Sequence, residues 1–444
     1  MQASGLTGYI CGSPKAEKGF TMIHLRRVAS NKEFYTGAVI KISGPRNNRF
    51  ILWPEEKWAW EEADRKGGGF MHENNILDFR QENAGGAISY QLDVGPQGCR
   101  TLVRVIPGED TVVIEHEIDN QGQGRVEGGS PCFQIGYARD FQSWGFEQAK
   151  RSFVWTQEDG FTWISDTRRT GKTTNRGRKT FCQDYHLTDP TTDSIFGRSP
   201  DLAVSPLIGA VSRDGALLVG CAGDEASDDV CHALLNCLHV FVGRPTGPGE
   251  KRTFSYTIYF LENDIEQLVR RAGADYPQYR FPPPEADKTR LAGEGTVLAS
   301  FEDQNDLRRI VAEKAVIEST SKRRLTVENE QAIAHGVTNG DDAVLCEFAD
   351  GGHIVLPALF TPGGRWQWIA ADLTIPVDRE ARIRLSARRG TKSVSRDFAL
   401  YPGTPRRCVL PLGRLMDSNE ALDLIVEPAD GKATLAQMDC LSAF

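Results

Sequence analysis

Short runs of apolar residues, separated by Gly, Pro, Asn and Asp, recur along almost the whole chain. Many of them alternate apolar with polar residues, which is the period of a half-buried strand, and few have the 3.6-residue period of a helix. The sequence Pro107-Gly108-Glu109-Asp110 lies between two such runs and is typical of a hairpin turn. Regular strand-length runs with turn residues between them predict an all-β fold built of sandwiches or barrels.

Two segments have helical patterns. Residues 54–66 begin with a proline, which is favoured in the first turn of a helix. Residues 263–272 have Asn263 or Asp264 as the capping residue and an apolar face that includes Leu268. We therefore predict two helices among the strands.

The chain has 444 residues, which favours two or three domains over one. Residues 276–295 contain Pro282-Pro283-Pro284 and charged neighbours, a composition that predicts an extended linker. We predict a large N-terminal β-domain over residues 1–275 and a second β-domain over residues 296–444, whose apolar runs are numerous enough for one sandwich.

Composition excludes several classes of protein. The net charge of −8 does not suit a protein that coats nucleic acid. No run approaches the ~20 apolar residues of a membrane span, and the N-terminus has neither the basic nor the apolar region of a signal peptide. We expect a secreted or periplasmic location if a signal peptide was removed, and a cytoplasmic one otherwise.

The ten cysteines form neither C-x-x-C pairs nor a dense disulfide pattern. Several lie in or beside apolar runs, so we expect buried thiols. No H-x-H or H-E-x-x-H zinc signature occurs, and no cofactor is expected for catalysis.

The C-terminal domain resembles the jelly-roll modules appended to carbohydrate-active enzymes. The resemblance lies in the opening residues 298–303, the segment Trp366-Gln367-Trp368 with its apolar continuation, and the closing run 433–440. In such modules, acidic residues of the first and last strands often hold a structural Ca²⁺. The resemblance implies Glu302, Asp303 and Asp439 as its ligands, with solvated acids as the alternative.

The N-terminal domain resembles the galactose-mutarotase-like β-supersandwich found in sugar epimerases, polysaccharide lyases and some glycoside hydrolases. Residues 102–122, 131–139 and 236–264 carry this resemblance. It implies an enzyme that acts on sugars. It fixes no reaction, because members of this fold class use different mechanisms.

The candidate acid–base residues are histidines and tyrosines of the N-terminal domain, which titrate near neutrality or can be tuned toward it. His116 and His239 lie in apolar strand patterns, so each is either a core histidine or a residue at the floor of a sugar cleft. Tyr185 and His186 lie in a polar, turn-rich stretch that predicts a loop. The full candidate set is His72, His116, Tyr137, Tyr185, His186 and His239.

His72 follows the run Gly67-Gly68-Gly69, for which we predict a flexible lid. The alternation of Phe133 and Ile135 predicts that Tyr137 and Arg139 share one face at the end of a strand. An arginine there suits a carboxylate, and a tyrosine suits proton transfer.

Six cations within residues 166–179 predict an exposed, anion-binding loop, and Arg176 and Arg178 are its candidate substrate contacts. A merely solvated loop is the alternative. Trp58 and Trp60 are candidates for stacking on sugar faces, or else pack in the core.

Together these features predict an enzyme that cleaves an acidic polysaccharide by β-elimination, with His and Tyr as acid and base and Arg neutralising a carboxylate. The alternatives are a glycoside hydrolase or sugar epimerase on the same fold, and a glycan-binding protein without activity. The expected partner is an anionic polysaccharide or oligosaccharide, rather than nucleic acid or a membrane.

Overall fold

Strands dominate the structure, which confirms the predicted all-β class. The computed structural model describes residues 9–12, 22–27, 38–62, 65–70, 75–81, 88–93, 98–136, 138–142, 148–157, 159–168, 182–186, 197–198, 201–224, 228–232, 237–241, 245–284, 296–301, 304–321, 342–359, 366–376, 379–401, 406–413, 415 and 421–444.

The chain forms two compact units. The first consists of residues 1–161, 184–192 and 202–284. The second consists of residues 162–183, 193–201 and 285–444. The second unit therefore includes two segments that lie within the N-terminal half of the sequence.

The first unit contains one helix and the strands β1 to β19 with the exception of β14. Strands β12 and β13 lie partly in the first unit and partly in the second. The strands are β1 (Tyr9–Gly12), β2 (Met22–Arg27), β3 (Ala38–Ser43), β4 (Arg49–Glu62), β5 (Arg65–Phe70), β6 (Asn75–Gln81), β7 (Ile88–Asp93), β8 (Cys99–Pro107), β9 (Thr111–Asn120), β10 (Arg125–Gln134), β11 (Ser152–Thr156), β12 (Gly160–Trp163), β13 (Cys182–His186), β15 (Ala203–Val211), β16 (Leu217–Gly223), β17 (Asp228–His232), β18 (Cys237–Phe241) and β19 (Lys251–Glu262). The helix is α1 (Ile265–Asp275).

The second unit contains the remaining strands and a short helix. They are β14 (Gly197–Arg198), β20 (Thr296–Ala299), β21 (Val311–Ser321), β22 (Asp342–Leu359), β23 (Trp368–Thr374), β24 (Ala381–Arg389), β25 (Lys392–Leu400), β26 (Arg406–Pro411), β27 (Leu422–Pro428), β28 (Thr434–Ala443) and the helix α2 (Gln304–Arg308).

Two sheets make up the first unit. The first sheet runs in the order β1-β2-β3-β4-β10-β18-β17-β13, with β5 also paired to β4. The second sheet runs in the order β12-β11-β15-β16-β19-β9-β8-β7-β6. Phe50 of the first sheet contacts Phe260 of the second at a ring-centroid distance of 5.2 Å, so the core of this unit lies between the two sheets.

Strand β9 shows how the sequence pattern produces this core. Ile114, His116 and Ile118 are buried, whereas Glu115 and Glu117 on the other face are partly exposed. The two acids pair with basic residues of the neighbouring strands, Arg104 at 3.1 Å and Lys251 at 2.5 Å. The predicted alternation is therefore confirmed.

The helix predicted for residues 54–66 is wrong, because residues 54–62 lie in β4 and residues 65–66 lie in β5. Strand β4 pairs with β3, β5 and β10, so neighbouring strands satisfy its backbone hydrogen bonds. The run Gly67-Gly68-Gly69, predicted to be a flexible lid, belongs to β5. Pairing with distant segments has overridden the local pattern.

Other local predictions are confirmed. Helix α1 begins after Asp264, whose carboxylate accepts a hydrogen bond from the Gln267 N–H at 2.8 Å. The hairpin turn at Pro107 is closed by the Gly108 N–H, which donates to the Thr111 carbonyl at 2.7 Å. The expected buried thiols include, among the described residues, Cys99, Cys221, Cys346 and Cys408.

The second unit is built from one sheet that surrounds a single core. Its order is β25-β24-β27-β22-β28-β23-β26, with β20 paired to β28 and β21 to β22. The first half of the long strand β22 pairs with β28 and its second half pairs with β27. Between the halves, a Cβ on Gly352 would lie 2.2 Å from the Lys314 carbonyl oxygen, so only glycine allows this close approach.

Within the described residues, no helix has both the length and the apolar character that a membrane crossing requires.

Part of the predicted linker packs on the first unit. The Trp155 indole N–H donates to the Pro282 carbonyl at 2.9 Å, and the Gln278 amide donates to Asp224 at 2.6 Å. Tyr276 is buried.

We therefore predict that limited trypsin digestion cuts first after Lys288 or Arg290, and that mass spectrometry identifies the two fragments of this cut. A first cut after Arg280, within the packed part, would contradict this.

The β8–β9 turn is joined to helix α1 by an ion pair. Both terminal nitrogens of Arg271 donate to the Asp110 carboxylate, one of them at 2.8 Å.

Since the pair of Arg271 and Asp110 is only partly exposed, we expect Asp110→Asn to lower the free energy of unfolding by about 1 kcal/mol and the melting temperature by about 2–4 °C. The control is Glu266→Gln, which removes an exposed pair within α1. Equal effects of the two variants would refute the role of Asp110.

Candidate functional site

The first sheet has a core face and an opposite face, and the register of its strands separates them. Phe133 of β10 lies opposite Leu52 of β4 and Leu238 of β18, and all three are buried. The next residue, Gln134, lies opposite Cys237. Because successive residues alternate between faces, His239 lies with Cys237 on the face away from the core.

His239 is only 3% exposed although it lies on that opposite face. Its position in the alternation separates it from the cluster formed by Phe133 and Leu238.

The strands beside β18 add further titratable positions to this face. Val230 of β17 lies opposite His239, and His232 lies opposite Cys237, so the register places His232 on the same face. Strand β13 follows β17 in the sheet and carries Tyr185 and His186 at its end.

Tyr185 and His186 are adjacent, so one of the two positions lies on the face of His239. Two strand spacings separate β13 from β18, which is about 10 Å. The predicted loop at these residues is wrong, because pairing with β17 extends the chain there. The sheet nevertheless places the strand of His239 two positions from the strand of Tyr185 and His186, which are candidate acid–base residues.

Arg139 lies at the end of the same sheet. Strand β10 ends at Gln134, and a turn closed by the Ala138 N–H and the Ile135 carbonyl precedes a single 3₁₀ turn, Arg139–Phe141. The expectation that Arg139 continues the face of a strand is therefore wrong. Its guanidinium is 74% exposed, and its Nε donates to Asp140 at 2.9 Å. This hydrogen bond and the attraction of Asp140 raise the pKa of Arg139.

Three loops meet around Arg139 and form an arginine cluster, which consists of Arg46, Arg139, Arg213, Asp140 and Asp214. Asn48 is fully buried and joins two of these loops. Its amide donates to the Asp140 carboxylate at 3.0 Å, and its carbonyl oxygen accepts from the Asp140 N–H at 2.9 Å. The Arg213 N–H donates to the Asp140 carbonyl at 2.7 Å, which adds the third loop.

The two carboxylates of the cluster are held in the ionised form. Asp214 accepts from the Ser212 hydroxyl at 2.7 Å, from the Ala216 N–H at 3.1 Å and from Arg46 at 2.5 Å, and its pKa falls to about 2. The hydrogen bonds from Arg139 and Asn48 lower the pKa of Asp140. Neither carboxyl group therefore carries a proton to donate near neutral pH.

His116 is placed elsewhere. It lies on the core face of the second sheet, where its ring stacks on Phe254 at 4.9 Å and lies 5.9 Å from Tyr256. Complete burial lowers the pKa of His116 to about 3. The structure does not bring it to the face of His239, and its surroundings are those of a core residue.

Several candidate residues lie outside the described residues: His72, Tyr137, Arg176, Arg178, Glu302 and Asp303. Their roles stay predictions. Of the predicted basic loop, Arg168 is described, and its Nε and backbone N–H donate to Asp201 at 2.5 and 2.7 Å. This arginine is a structural anchor for the start of the segment.

Trp58 and Trp60 lie in strand β4, between strands that carry glycines. Trp58 is opposite Gly129 of β10 and Gly69 of β5. Trp60 is opposite Gly67 and Val126. Glycine provides no side chain beside the tryptophan positions, which is compatible with an aromatic surface for sugars.

The predicted calcium site is only partly described. Ala299 of β20 lies opposite Leu441 of β28, so the first and last strands are neighbours as the resemblance requires. Asp439 accepts a hydrogen bond from the Gln437 amide at 2.6 Å. In the described part of the chain, no group of three or more His, Cys, Asp or Glu is arranged to hold a metal ion, and calcium binding stays a prediction.

Sequence reasoning missed Arg46, Asn48 and Asp214. The turn residues Gly44-Pro45 between two apolar runs mark a hairpin loop that contains the first two. No local pattern connects this loop with Asp214, because the two are adjacent only after the sheets pack.

Comparison with family models and with curated proteins finds no match. Among solved structures, the chain is similar to a family 11 carbohydrate-binding module from Clostridium thermocellum, with 11% identity, a TM-score of 0.24, and coverage of 34% of this chain and 94% of that one. It is also similar to a polysaccharide lyase, with 9% identity, a TM-score of 0.32, and coverage of 94% and 46%.

A GH36 α-galactosidase from Geobacillus stearothermophilus shows 10% identity, a TM-score of 0.32, and coverage of 60% of this chain and 42% of that one. The chain thus spans less than half the length of the lyase and of the galactosidase. At these identities and TM-scores, no residue's role and no activity passes from these proteins to this chain.

The buried His116 generates a prediction about stability. Its folded pKa lies below the ordinary value of 6.5, so the unfolded chain takes up a proton first. Its contribution to stability is complete above pH 6.5 and is lost as the pH falls from 6.5 toward 3, by at most about 1.4 kcal/mol per pH unit.

We expect His116→Phe to reduce the change of the free energy of unfolding with pH, because phenylalanine cannot be protonated. Urea unfolding at several pH values between 7.5 and 4.5 measures this change. The change with pH does not depend on how well phenylalanine packs. His353→Gln, in the second unit, is the control. A slope unchanged by His116→Phe would show that this histidine is not protonated on unfolding.

Proposed function

We propose that this chain cleaves an acidic polysaccharide by β-elimination at the arginine end of the first sheet. In this reaction a base removes the proton at C5 of a uronate, and the bond between C4 and the glycosidic oxygen breaks. A C4–C5 double bond forms, and an acid protonates the leaving oxygen. A cation must stabilise the negative charge that develops beside the carboxylate.

The observation that carries this proposal is the register of β10, β18 and β17. It places His239 on the face away from the core, with β13 on the far side of β17 contributing Tyr185 or His186 to that face. The same register places the end of β10, from which the chain leads to Arg139, opposite the start of β18. These positions on neighbouring strands of one sheet support the assignment of a base, an acid and a cation to one site.

His239 is the proposed base, because the register places it on the face away from the core, next to the strand that pairs with β13. Tyr185 or His186 is the proposed acid for the leaving oxygen. Arg139 is the proposed cation, because its side chain is exposed while its Nε donates a hydrogen bond to Asp140.

The carboxylates of the arginine cluster do not provide the acid that a glycoside hydrolase requires. A glycoside hydrolase uses one carboxyl group as an acid and so requires a raised pKa. The pKa values of Asp140 and Asp214 are lowered instead. These two residues are therefore unsuited to the acid role.

We further propose that Trp58 and Trp60 contact the glycan, that Arg176 and Arg178 attract its negative charge, and that the second unit binds glycan and a structural Ca²⁺ through Glu302, Asp303 and Asp439. The glycine-flanked register of Trp58 supports the first of these proposals. The others depend on the sequence patterns alone.

The test is a screen of alginate, pectate, hyaluronan and neutral glycans, with ultraviolet absorbance of the unsaturated uronate as readout. We expect absorbance to rise with one acidic glycan, and His239→Gln to lower the rate about 10²–10⁴-fold. Tyr185→Phe and His186→Gln, compared directly, identify the acid. His353→Gln is the matched histidine control and should leave the rate unchanged.

Other results would refute the proposal in distinct ways. Release of reducing ends without absorbance would indicate a hydrolase. Binding without turnover would indicate a glycan-binding protein. Full activity of the His239→Gln variant would exclude this histidine as the base.

A further inference from the structure

Arg46 has an unusual backbone conformation. It lies in the loop 44–48 that connects β3 to β4, with φ of 55° and ψ of 31°. This left-handed region is disfavoured for residues with a side chain and is typically occupied by glycine or asparagine. An arginine at this position is therefore held there against its own preference.

The loop is fixed by its hydrogen bonds. The Gly44 N–H donates to the Asn48 carbonyl at 2.8 Å, and the Asn48 N–H and amide donate to the Pro45 carbonyl at 3.1 and 2.9 Å. A Cβ on Gly44 would lie 2.6 Å from the ring of Phe50. The loop thus presents Arg46 from a rigid base instead of a mobile tip.

The Arg139 side chain extends to the loop that carries Arg46. The Arg139 guanidinium reaches the Arg46 carbonyl oxygen, at 3.5 Å. One terminal nitrogen of Arg46 bonds to Asp214, and its side chain remains 46% exposed. Each guanidinium is thus paired with one carboxylate, and both arginine side chains remain exposed.

The arginine side chains of the cluster are offset by its carboxylates and remain exposed. Arg46 and Arg139 balance the charges of Asp140 and Asp214, and Arg213 is an exposed arginine next to Asp214. Asp140 and Asp214 stay ionised because their pKa values are lowered. They fix the arginines without competing for a proton.

We infer that Arg46 is a second carboxylate-recognising residue, which binds the acidic group of the glycan together with Arg139. This inference rests on the proposed function for its substrate class. Two adjacent guanidinium groups can hold one carboxylate with several charge-assisted hydrogen bonds, which discriminates a uronate from a neutral sugar. Arg46 is thus a specificity-determining residue.

The Arg46→Gly variant tests this directly, because glycine adopts the left-handed conformation without strain. We expect its melting temperature to equal or exceed that of the wild type, while its affinity for the tightest-binding fragment of alginate, pectate or hyaluronan falls at least tenfold. The salt dependence of binding should also decrease. Arg46→Lys, which keeps the charge but not the paired donors, should lose less affinity. Arg100→Ala, an exposed arginine of the second sheet, is the charge-matched control.

Titration with the carboxyl-reduced form of the same fragment separates recognition of the acid from general contact. We expect Arg46→Gly to leave that weaker affinity unchanged. Wild-type affinity of Arg46→Gly for the acidic fragment would overturn the inference, and so would equal losses for the acidic and reduced fragments. Because binding is measured without turnover, failure of the elimination chemistry would leave this test intact.

Discussion

The contacts of the Phe50 ring are the interaction on which the first unit depends. The ring lies 5.4 Å from Phe133 in its own sheet, 5.2 Å from Phe260 in the second sheet, and 5.6 Å from Phe141 in the turn after β10. One aromatic cluster therefore joins both sheets and the turn that carries Arg139. Aromatic rings bury large apolar areas and prefer such tilted and edge-on contacts.

The position of the arginine cluster follows from this packing. Phe50 lies at the base of the hairpin loop that carries Arg46, and Phe141 follows Asp140 directly. Asn48 then completes the arrangement with hydrogen bonds from its buried side chain to Asp140. Exposed ion pairs contribute little stability by themselves, so the rings and the buried amide hold the cluster, and the arginines are available for a ligand.

The two histidines of apolar strands illustrate how position within a sheet decides chemical character. His116 and His239 have similar sequence patterns, and both are buried. His116 faces the core between the sheets, where no charge is stabilised, and its pKa is lowered accordingly. His239 lies on the other side of its sheet, beside a strand that carries Tyr185 and His186. The two histidines thus differ in the face of the sheet that they take and not in their burial.

The amino-acid sequence by itself determined the all-β class, the alternation of β9, the turn at Pro107 and the cap of α1, because these depend on neighbours close in the chain. It suggested Arg139 and His239 as functional residues. Tertiary structure alone decided that residues 54–62 and 65–66 lie in strands, which face of the sheet His239 takes, and that Arg46 pairs with Asp214, 168 residues away. The physical reason is that register, sheet packing and ion pairs between loops are set by contacts between distant segments, which no local pattern encodes.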